Sequence, residues 1–291
     1  MTENAKTITH VGVIGAGTMG AGIAQVAAQC GCDVMLVDLA EEWLDRGLQA
    51  IAAGLDRLVA KEKMTDGERD AVLGRIEGST QIVHVSECDI VIEAVSEQLA
   101  VKQKVFEDVA GVVAANAIIA SNTSSISISA LAASVSGSDR VAGMHFFNPV
   151  PVLKLVEVVR GLQTSEETIA RIRELAERMG KTPVDVADAP GFVANRLLLP
   201  MINEAIFCLA DGVASAEDID VVMKLGAAHP MGPLALADMI GLDVCLAIME
   251  VLQQQFGDDK YRPAPLLRQM VVAGRLGRKS GQGFHTYPSA N

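Results

Sequence analysis

The sequence predicts an α/β protein: a doubly wound parallel sheet with an inserted helical hairpin, followed by an all-helical C-terminal domain. Three observations carry this expectation. Short aliphatic runs alternate with helical stretches through the first part of the chain, a glycine-rich turn closes the first of those runs, and no strand pattern returns after Asp188-Ala-Pro-Gly. At 291 residues the chain has room for about two domains. The expected division is 1–188 for a nucleotide-binding sheet domain and 189–291 for a helical domain.

Taken in order, the runs Thr9–Ile14, Asp33–Val37, Ile90–Glu93, Ala117–Ser121, Val141–Phe147 and Leu153–Val159 read as strands. Residues Val11–Cys32 carry no charge, but six glycines interrupt them, so strand, turn and helix explain them better than a membrane span. Between the second and third strands, Glu41–Arg75 is rich in Ala, Leu, Lys and Glu and is expected to form a helical hairpin projecting from the sheet, with Arg57, Lys61 and Lys63 exposed. Beyond residue 190, Phe192–Val272 reads as several helices broken near Gly212, Gly226, Gly232 and Gly257. The first of these, Phe192–Ala210, is apolar around most of its circumference, more than one core-facing stripe accounts for, and a homodimer interface is the expected use of the surplus.

Half the residues are hydrophobic, 21% are charged and the net charge is −12, a balance that excludes disorder and opposes binding to nucleic acid or anionic lipid. A polyanionic ligand therefore needs a local basic patch. The five cysteines are odd in number and form no CxxC pair, so neither a disulfide framework nor a zinc site is expected, and no other metal site is indicated. The cysteine usage fits a reducing cytoplasm, and the opening residues lack the apolar core of a secretory signal.

The turn Gly15-Ala-Gly17-Thr18-Met19-Gly20 places GxGxxG between a strand and a helix. The first glycine permits the turn, the second lets backbone approach a pyrophosphate, and the third allows close helix packing. The motif alone is weak, but the next strand ends in Asp38, a carboxylate placed to accept the ribose hydroxyls of an adenosine. A Rossmann-like dinucleotide site follows. Asp38 would repel a 2′-phosphate and Leu39-Ala-Glu-Glu42 offers no arginine, so NAD is preferred over NADP.

On the last expected strand, Leu153, Leu155, Glu157 and Val159 share one face, which puts a carboxylate in an aliphatic row where it demands a partner. His145, 12 residues earlier, is the candidate. Spacing alone fits a structural hydrogen bond as well as a catalytic pair. A hydride-transfer site needs a base, and His10, His84, His229 and His285 lie at a strand start, a polar connection, a turn and the tail, which leaves His145.

These residues resemble the L-3-hydroxyacyl-CoA dehydrogenases. The likeness rests on GxGxxG, Ser121-Asn-Thr-Ser124-Ser125, His145-Phe-Phe-Asn148-Pro, Glu157, Pro190-Gly-Phe-Val-Ala-Asn195-Arg196, His229-Pro-Met-Gly-Pro-Leu and Gly277-Arg-Lys279-Ser-Gly-Gln-Gly-Phe284, in order along nearly the whole chain. It is greatest toward the short bacterial 3-hydroxybutyryl-CoA members. The resemblance implies His145 as general acid/base, Glu157 as the residue orienting it, Ser124 as a hydrogen-bond partner of the substrate 3-oxygen, and Asn195 as a donor in the active site; without it, Ser124 and Asn195 read equally as turn or cap formers. It further implies NAD contacts from Glu97, Lys102, Asn148 and Lys279, although Glu97 and Lys102 read locally as a solvated pair on a helix face. It gives Lys61 a coenzyme A contact, with Lys63 and Arg57 supplying the basic patch. Where some relatives carry a coenzyme-A-contacting serine, this chain has Gly54.

The expected function is reversible NAD-dependent oxidation of an L-3-hydroxyacyl-CoA, short-chain 3-hydroxybutyryl-CoA first, to the 3-ketoacyl-CoA, acetoacetyl-CoA in that case. The substrate is expected in the cleft between the domains. The alternatives are a dehydrogenase of a small non-CoA hydroxy acid or sugar acid, and a non-catalytic NAD-binding protein.

Overall fold

The computed structural model describes residues 7–287 and divides into two compact units, 1–189 and 190–291. The first unit runs β1 (His10–Ile14), α1 (Thr18–Gln29), β2 (Asp33–Val37), α2 (Glu41–Ala60), α3 (Asp66–Leu73), β3 (Ile76–Ser79), β4 (Ile90–Glu93), α4 (Leu99–Ala110), β5 (Ile118–Ser121), α5 (Ile128–Ala132), β6 (Val141–Phe146), β7 (Leu155–Arg160), α6 (Glu166–Arg178) and β8 (Thr182–Ala187). One sheet joins all these strands in the order β3-β2-β1-β4-β5-β6-β7-β8. Every neighbouring pair is parallel except β6 and β7. Strand order reverses between β1 and β4, the switch point where ligands of such sheets bind.

The central strands are aliphatic on both faces because helices cover both, and Val11, Val13, Leu36, Ile90, Ile92, Ile118 and Ile119 are all but fully buried. Helix α1 is built of small residues and is buried from Gly20 to Ala28, which lets it lie close against the sheet. The helical segment after β2 is less detached than its sequence suggests. Helix α2 buries Leu44, Ile51 and Leu55 in the sheet core and exposes Arg57 and Lys61 at its far end, while α3 returns under a Thr65–Glu68 capping box.

Two strands, β3 and β8, escape the sequence reading, and they are the two sheet edges. The former is only four residues with a glycine, and the latter carries Pro183, which an edge strand tolerates because its N–H side faces no partner.

The second unit is helical: α7 (Ala194–Ala210), α8 (Ala216–Gly226), α9 (Pro233–Ile240), α10 (Leu242–Phe256) and α11 (Pro265–Val272). Leu199, Ile202, Ile206, Leu234, Leu242, Met249, Leu252 and Leu267 form its core. Two buried carboxylates hold its last segment. Asp220 accepts from the amides of Leu234 and Ala235 at the start of α9 and contacts His285 Nε2 at 2.8 Å. Asp238 accepts from the amides of Phe284 and His285 and from the Tyr287 hydroxyl. Among the described residues no helix is long and apolar enough to cross a membrane.

Candidate active site

The parallel strands deliver the candidate residues to one edge of the sheet. The glycine turn follows β1, Asp38 follows β2, Glu93 ends β4, Ser124 follows β5, and His145 lies one residue from the end of β6. Backbone spacing alone thus gathers residues that are far apart in sequence.

Gly15 has φ +102°, and a side chain there would lie 2.7 Å from the Ala94 carbonyl oxygen just beyond β4. A Cβ on Gly20 would fall 1.7 Å from the Gly15 oxygen, so only glycine lets α1 begin this close to the turn. At Gly17 a Cβ would meet nothing within 4 Å. That open space fronts the first turn of α1, Thr18 and Met19 included, where no side chain caps the helix amides. An open approach, uncapped N–H donors and the positive end of a helix suit the diphosphate of a dinucleotide.

Asp38 Oδ2 accepts from the Ala16 amide at 2.6 Å and Oδ1 from the Leu39 amide at 2.7 Å. The carboxylate is therefore oriented by the turn, and each oxygen keeps capacity for a ribose hydroxyl. We expect Asp38→Ala to lower the preference for NAD over NADP by roughly 10- to 100-fold, the worth of a hydrogen bond to a charged group. The ratio of kcat/KM for the two cofactors checks this, and an unchanged ratio removes Asp38 from cofactor selection.

The antiparallel pairing of β6 with β7 places the acid and the imidazole together. In the β6–β7 register His145 lies directly opposite Glu157, so both side chains project from the same face. Nδ1 and Oε2 are 2.7 Å apart and both residues are buried. The Phe147 ring lies 4.5 Å from the imidazole, centroid to centroid. A carboxylate accepting from Nδ1–H fixes the neutral imidazole with its lone pair on Nε2.

The Ser124 loop is organised around Glu97. Its Oε1 accepts from the Thr123 hydroxyl at 2.6 Å, from the amides of Ser124 and Ser125 at 2.9 and 3.1 Å, and from both of their hydroxyls at 3.2 Å. Its Oε2 is 3.2 Å from Lys102 Nζ. Lys102 is not the solvated partner that its spacing suggests: it is 1% exposed and donates to Glu93 Oε1 at 2.7 Å. Glu93, wholly buried, also accepts from the Val95 amide at 2.7 Å and the Ser121 hydroxyl at 2.6 Å. Burial opposes ionisation of Glu97, but the Lys102 ammonium and the hydrogen bonds from Thr123 and Ser124 outweigh it and hold this carboxyl below the ordinary glutamate range.

Sequence reasoning missed Glu93 as a site residue. Its signal was a carboxylate closing the otherwise aliphatic Ile90-Val-Ile-Glu93, the same feature that singled out Glu157. It also missed Asn122, whose Oδ1 accepts from the Phe146 amide at 2.8 Å and ties the Ser124 loop to β6.

The remaining candidates are distributed over both units. Asn148 is exposed just beyond β6, before a cis bond to Pro149. Lys61 is exposed at the C-terminus of α2, with Arg57 and Lys63 exposed nearby in sequence. A side chain on Gly54 would approach Gln25 Oε1 to 3.0 Å, so glutamine occupies the space beside that position. Asn195 is buried in the first turn of α7, and Lys279 is paired with Asp243 at 2.5 Å. Among the described residues no group of three or more His, Cys, Asp or Glu side chains could hold a metal ion.

Comparison with known proteins is consistent along the chain. Residues 10–189 match the profile of the 3-hydroxyacyl-CoA dehydrogenase NAD binding domain, and residues 191–287 match that of the C-terminal domain. A probable 3-hydroxybutyryl-CoA dehydrogenase from Deinococcus radiodurans is 56% identical over 95% of this chain and 99% of its own. A 3-hydroxybutyryl-CoA dehydrogenase from Bradyrhizobium diazoefficiens is 48% identical over 98% of each. The crystal structure of (S)-3-hydroxybutyryl-CoA dehydrogenase from Ralstonia eutropha superposes with a TM-score of 0.95 at 54% identity, covering 97% of this chain and 100% of that one.

Proposed function

The chain belongs to the 3-hydroxyacyl-CoA dehydrogenase family, and from that premise we propose how its residues divide the NAD-dependent oxidation of a 3-hydroxyacyl-CoA to the 3-ketoacyl-CoA. The observation that carries the assignment is the buried His145–Glu157 pair, set by strand register at the carboxyl edge of a sheet whose first turn suits a dinucleotide.

Glu157 holds the imidazole in the Nδ1–H tautomer, and Nε2 takes the proton of the substrate's 3-hydroxyl. Bound NAD supplies the hydride acceptor. The positive charge arising on His145 as the proton arrives is stabilised by the Glu157 carboxylate, and in the reverse direction Nε2 returns the proton to the 3-oxygen. Ser124 hydrogen-bonds the same oxygen: with its proton on Glu97, as here, the hydroxyl accepts from the alcohol, and with that proton turned to the substrate it donates to the ketone. Asn195 donates to a carbonyl oxygen of the acyl group as enolate-like charge develops.

Gly15, Gly17, Thr18, Met19 and Gly20 hold the diphosphate and Asp38 holds the adenosine ribose. Glu97, Asn148 and Lys279 contact the remainder of the cofactor, while the Lys102 charge reaches it through Glu97. Lys61, supported by Arg57 and Lys63, takes the nucleotide end of coenzyme A, a basic patch on a chain whose net charge is −12.

Short acyl chains are the proposed substrates because relatives at 48–56% identity are named for 3-hydroxybutyryl-CoA. With NADH, acetoacetyl-CoA is expected to be reduced at least about tenfold more efficiently than free acetoacetate, since binding energy from the coenzyme A end is realised at the reacting carbon. Equal rates with both would replace the acyl-CoA by a small hydroxy acid.

We also propose a cytoplasmic homodimer joined through the helical unit. Leu197 is 70% exposed on α7, and Leu197, Leu198, Met201, Met231, Leu236 and Met239 line an apolar groove of about 620 Å³. Sedimentation at working concentration is expected to give twice the 30.6 kDa chain mass, and a monomer refutes this pairing.

A further inference from the structure

Cys30 and Cys32 lie far along the chain from the catalytic residues, at the turn that joins α1 to β2. Their sulfurs are 3.7 Å apart, in thiol–thiol hydrogen-bond contact. Cys30 is part exposed and Cys32 is wholly buried. Between them Gly31 has φ +92°, and a side chain there would meet nothing within 4 Å, so the turn faces open space. Arg178, from the end of α6, donates through Nη2 to Cys32 Sγ at 3.4 Å and through Nη1 to the Ile8 carbonyl.

We propose that Cys30 and Cys32 are a peroxide-oxidisable dithiol, with Cys30 as the attacking sulfur and Cys32 as the resolving one. Exposure decides the order of events, because only Cys30 is reachable from solvent. The buried partner does not compete: the shared hydrogen bond and burial push the Cys32 thiol upward, outweighing the Arg178 guanidinium that donates to it, whereas that same bond, with Arg178 adding to it against burial, draws Cys30 down to about 7.

The chemistry balances with hydrogen peroxide as the oxidant. The Cys30 thiolate displaces hydroxide from peroxide, breaking the O–O bond and forming a sulfenic acid. Cys32 sulfur then attacks Cys30 sulfur, the S–O bond breaks, and the departing hydroxide takes the Cys32 proton as water. Two thiols lose two electrons, and one peroxide becomes two waters. Closing a disulfide of about 2.05 Å brings together sulfurs that already stand 3.7 Å apart, across a glycine whose freedom lets the turn adjust. The second thiol thus diverts sulfenic acid into a reducible bond before it advances to the irreversible acids.

The test treats the full-length enzyme with stoichiometric hydrogen peroxide, blocks remaining thiols with N-ethylmaleimide, and identifies oxidised cysteines by peptide mass spectrometry. Wild type is expected to lose two of its five thiols as a Cys30–Cys32 disulfide, recovered with dithiothreitol. Cys30 should react about tenfold faster than Cys208, which is also part exposed, because the Cys32 hydrogen bond and the Arg178 guanidinium favour the Cys30 thiolate. Cys32→Ser is expected to halt at a Cys30 sulfenic acid trapped by dimedone and to progress to sulfinic acid with excess peroxide, while Cys30→Ser leaves Cys32 reduced. Five thiols surviving in wild type, oxidation led by Cys88, Cys208 or Cys245, or no dimedone adduct on Cys30 in Cys32→Ser would each overturn the proposal.

Discussion

His145→Gln is expected to lower kcat by about 10³-fold, within the range that a positioned general base contributes, while leaving the Kd for NAD within about twofold. Glutamine can still donate an amide hydrogen to Glu157, so the buried carboxylate keeps a partner and the β6–β7 ladder stays intact. What it lacks is a nitrogen able to take the alcohol proton near neutral pH. Steady-state kinetics with calorimetric titration of NAD separates the two effects, and a variant retaining a tenth of wild-type turnover would acquit His145 as the base. Glu157→Gln removes the negative charge that stabilises the imidazolium and is expected to cost less, about 10- to 100-fold, because the histidine remains.

The second large effect concerns stability. Lys102→Met leaves Glu93 fully buried without its counter-ion, and breaking such a pair from one side costs about 3–5 kcal/mol. The double variant Glu93→Gln/Lys102→Met removes both charges and is expected to recover a large part of the loss. Urea unfolding of the three proteins measures this; equal stability of wild type and Lys102→Met would mean that the pair contributes nothing. The neighbouring Glu97 adds an acid limb to the same network. Its carboxyl titrates lower in the folded chain than in the unfolded one, so its stabilising contribution is complete above the ordinary glutamate range. It fades as pH falls through the lowered value. Loosening of the Ser124 loop therefore belongs to acid conditions, not to neutral ones.

Much of this was legible in the sequence because it rests on local periodicity. The aliphatic runs of β1, β2, β4 and β5 and the glycine turn between β1 and α1 are short-range patterns, and so is the loss of strand character after residue 190. Glu157 stood out as a charge in an aliphatic row. Its placement opposite His145, however, comes from an antiparallel register that a parallel-sheet reading does not supply. The edges β3 and β8 carried no such signal, since a strand with one solvated side needs few apolar residues. Lys102 and Glu97, five positions apart, were unreadable for a different reason. Spacing along a helix cannot tell that Glu93, ending a neighbouring strand, draws the lysine inward. The Cys30–Cys32 contact leaves no mark in the sequence, because a glycine-separated pair of thiols matches neither a multi-disulfide framework nor a zinc motif.

The pairing of β6 with β7 also dictates how the proposed His145–Glu157 dyad tolerates insertion and deletion. Side chains alternate between faces, so sliding β7 by a single position would send the carboxylate to the opposite side of the sheet and bring Val156 or Val158 before the imidazole. Residues 147–154, which connect the two strands, can therefore change length only where the added or lost backbone is absorbed as loop. The separation between the His145 imidazole and the Glu157 carboxylate is quantised by the pleat, and a graded drift of one away from the other is not available to the chain.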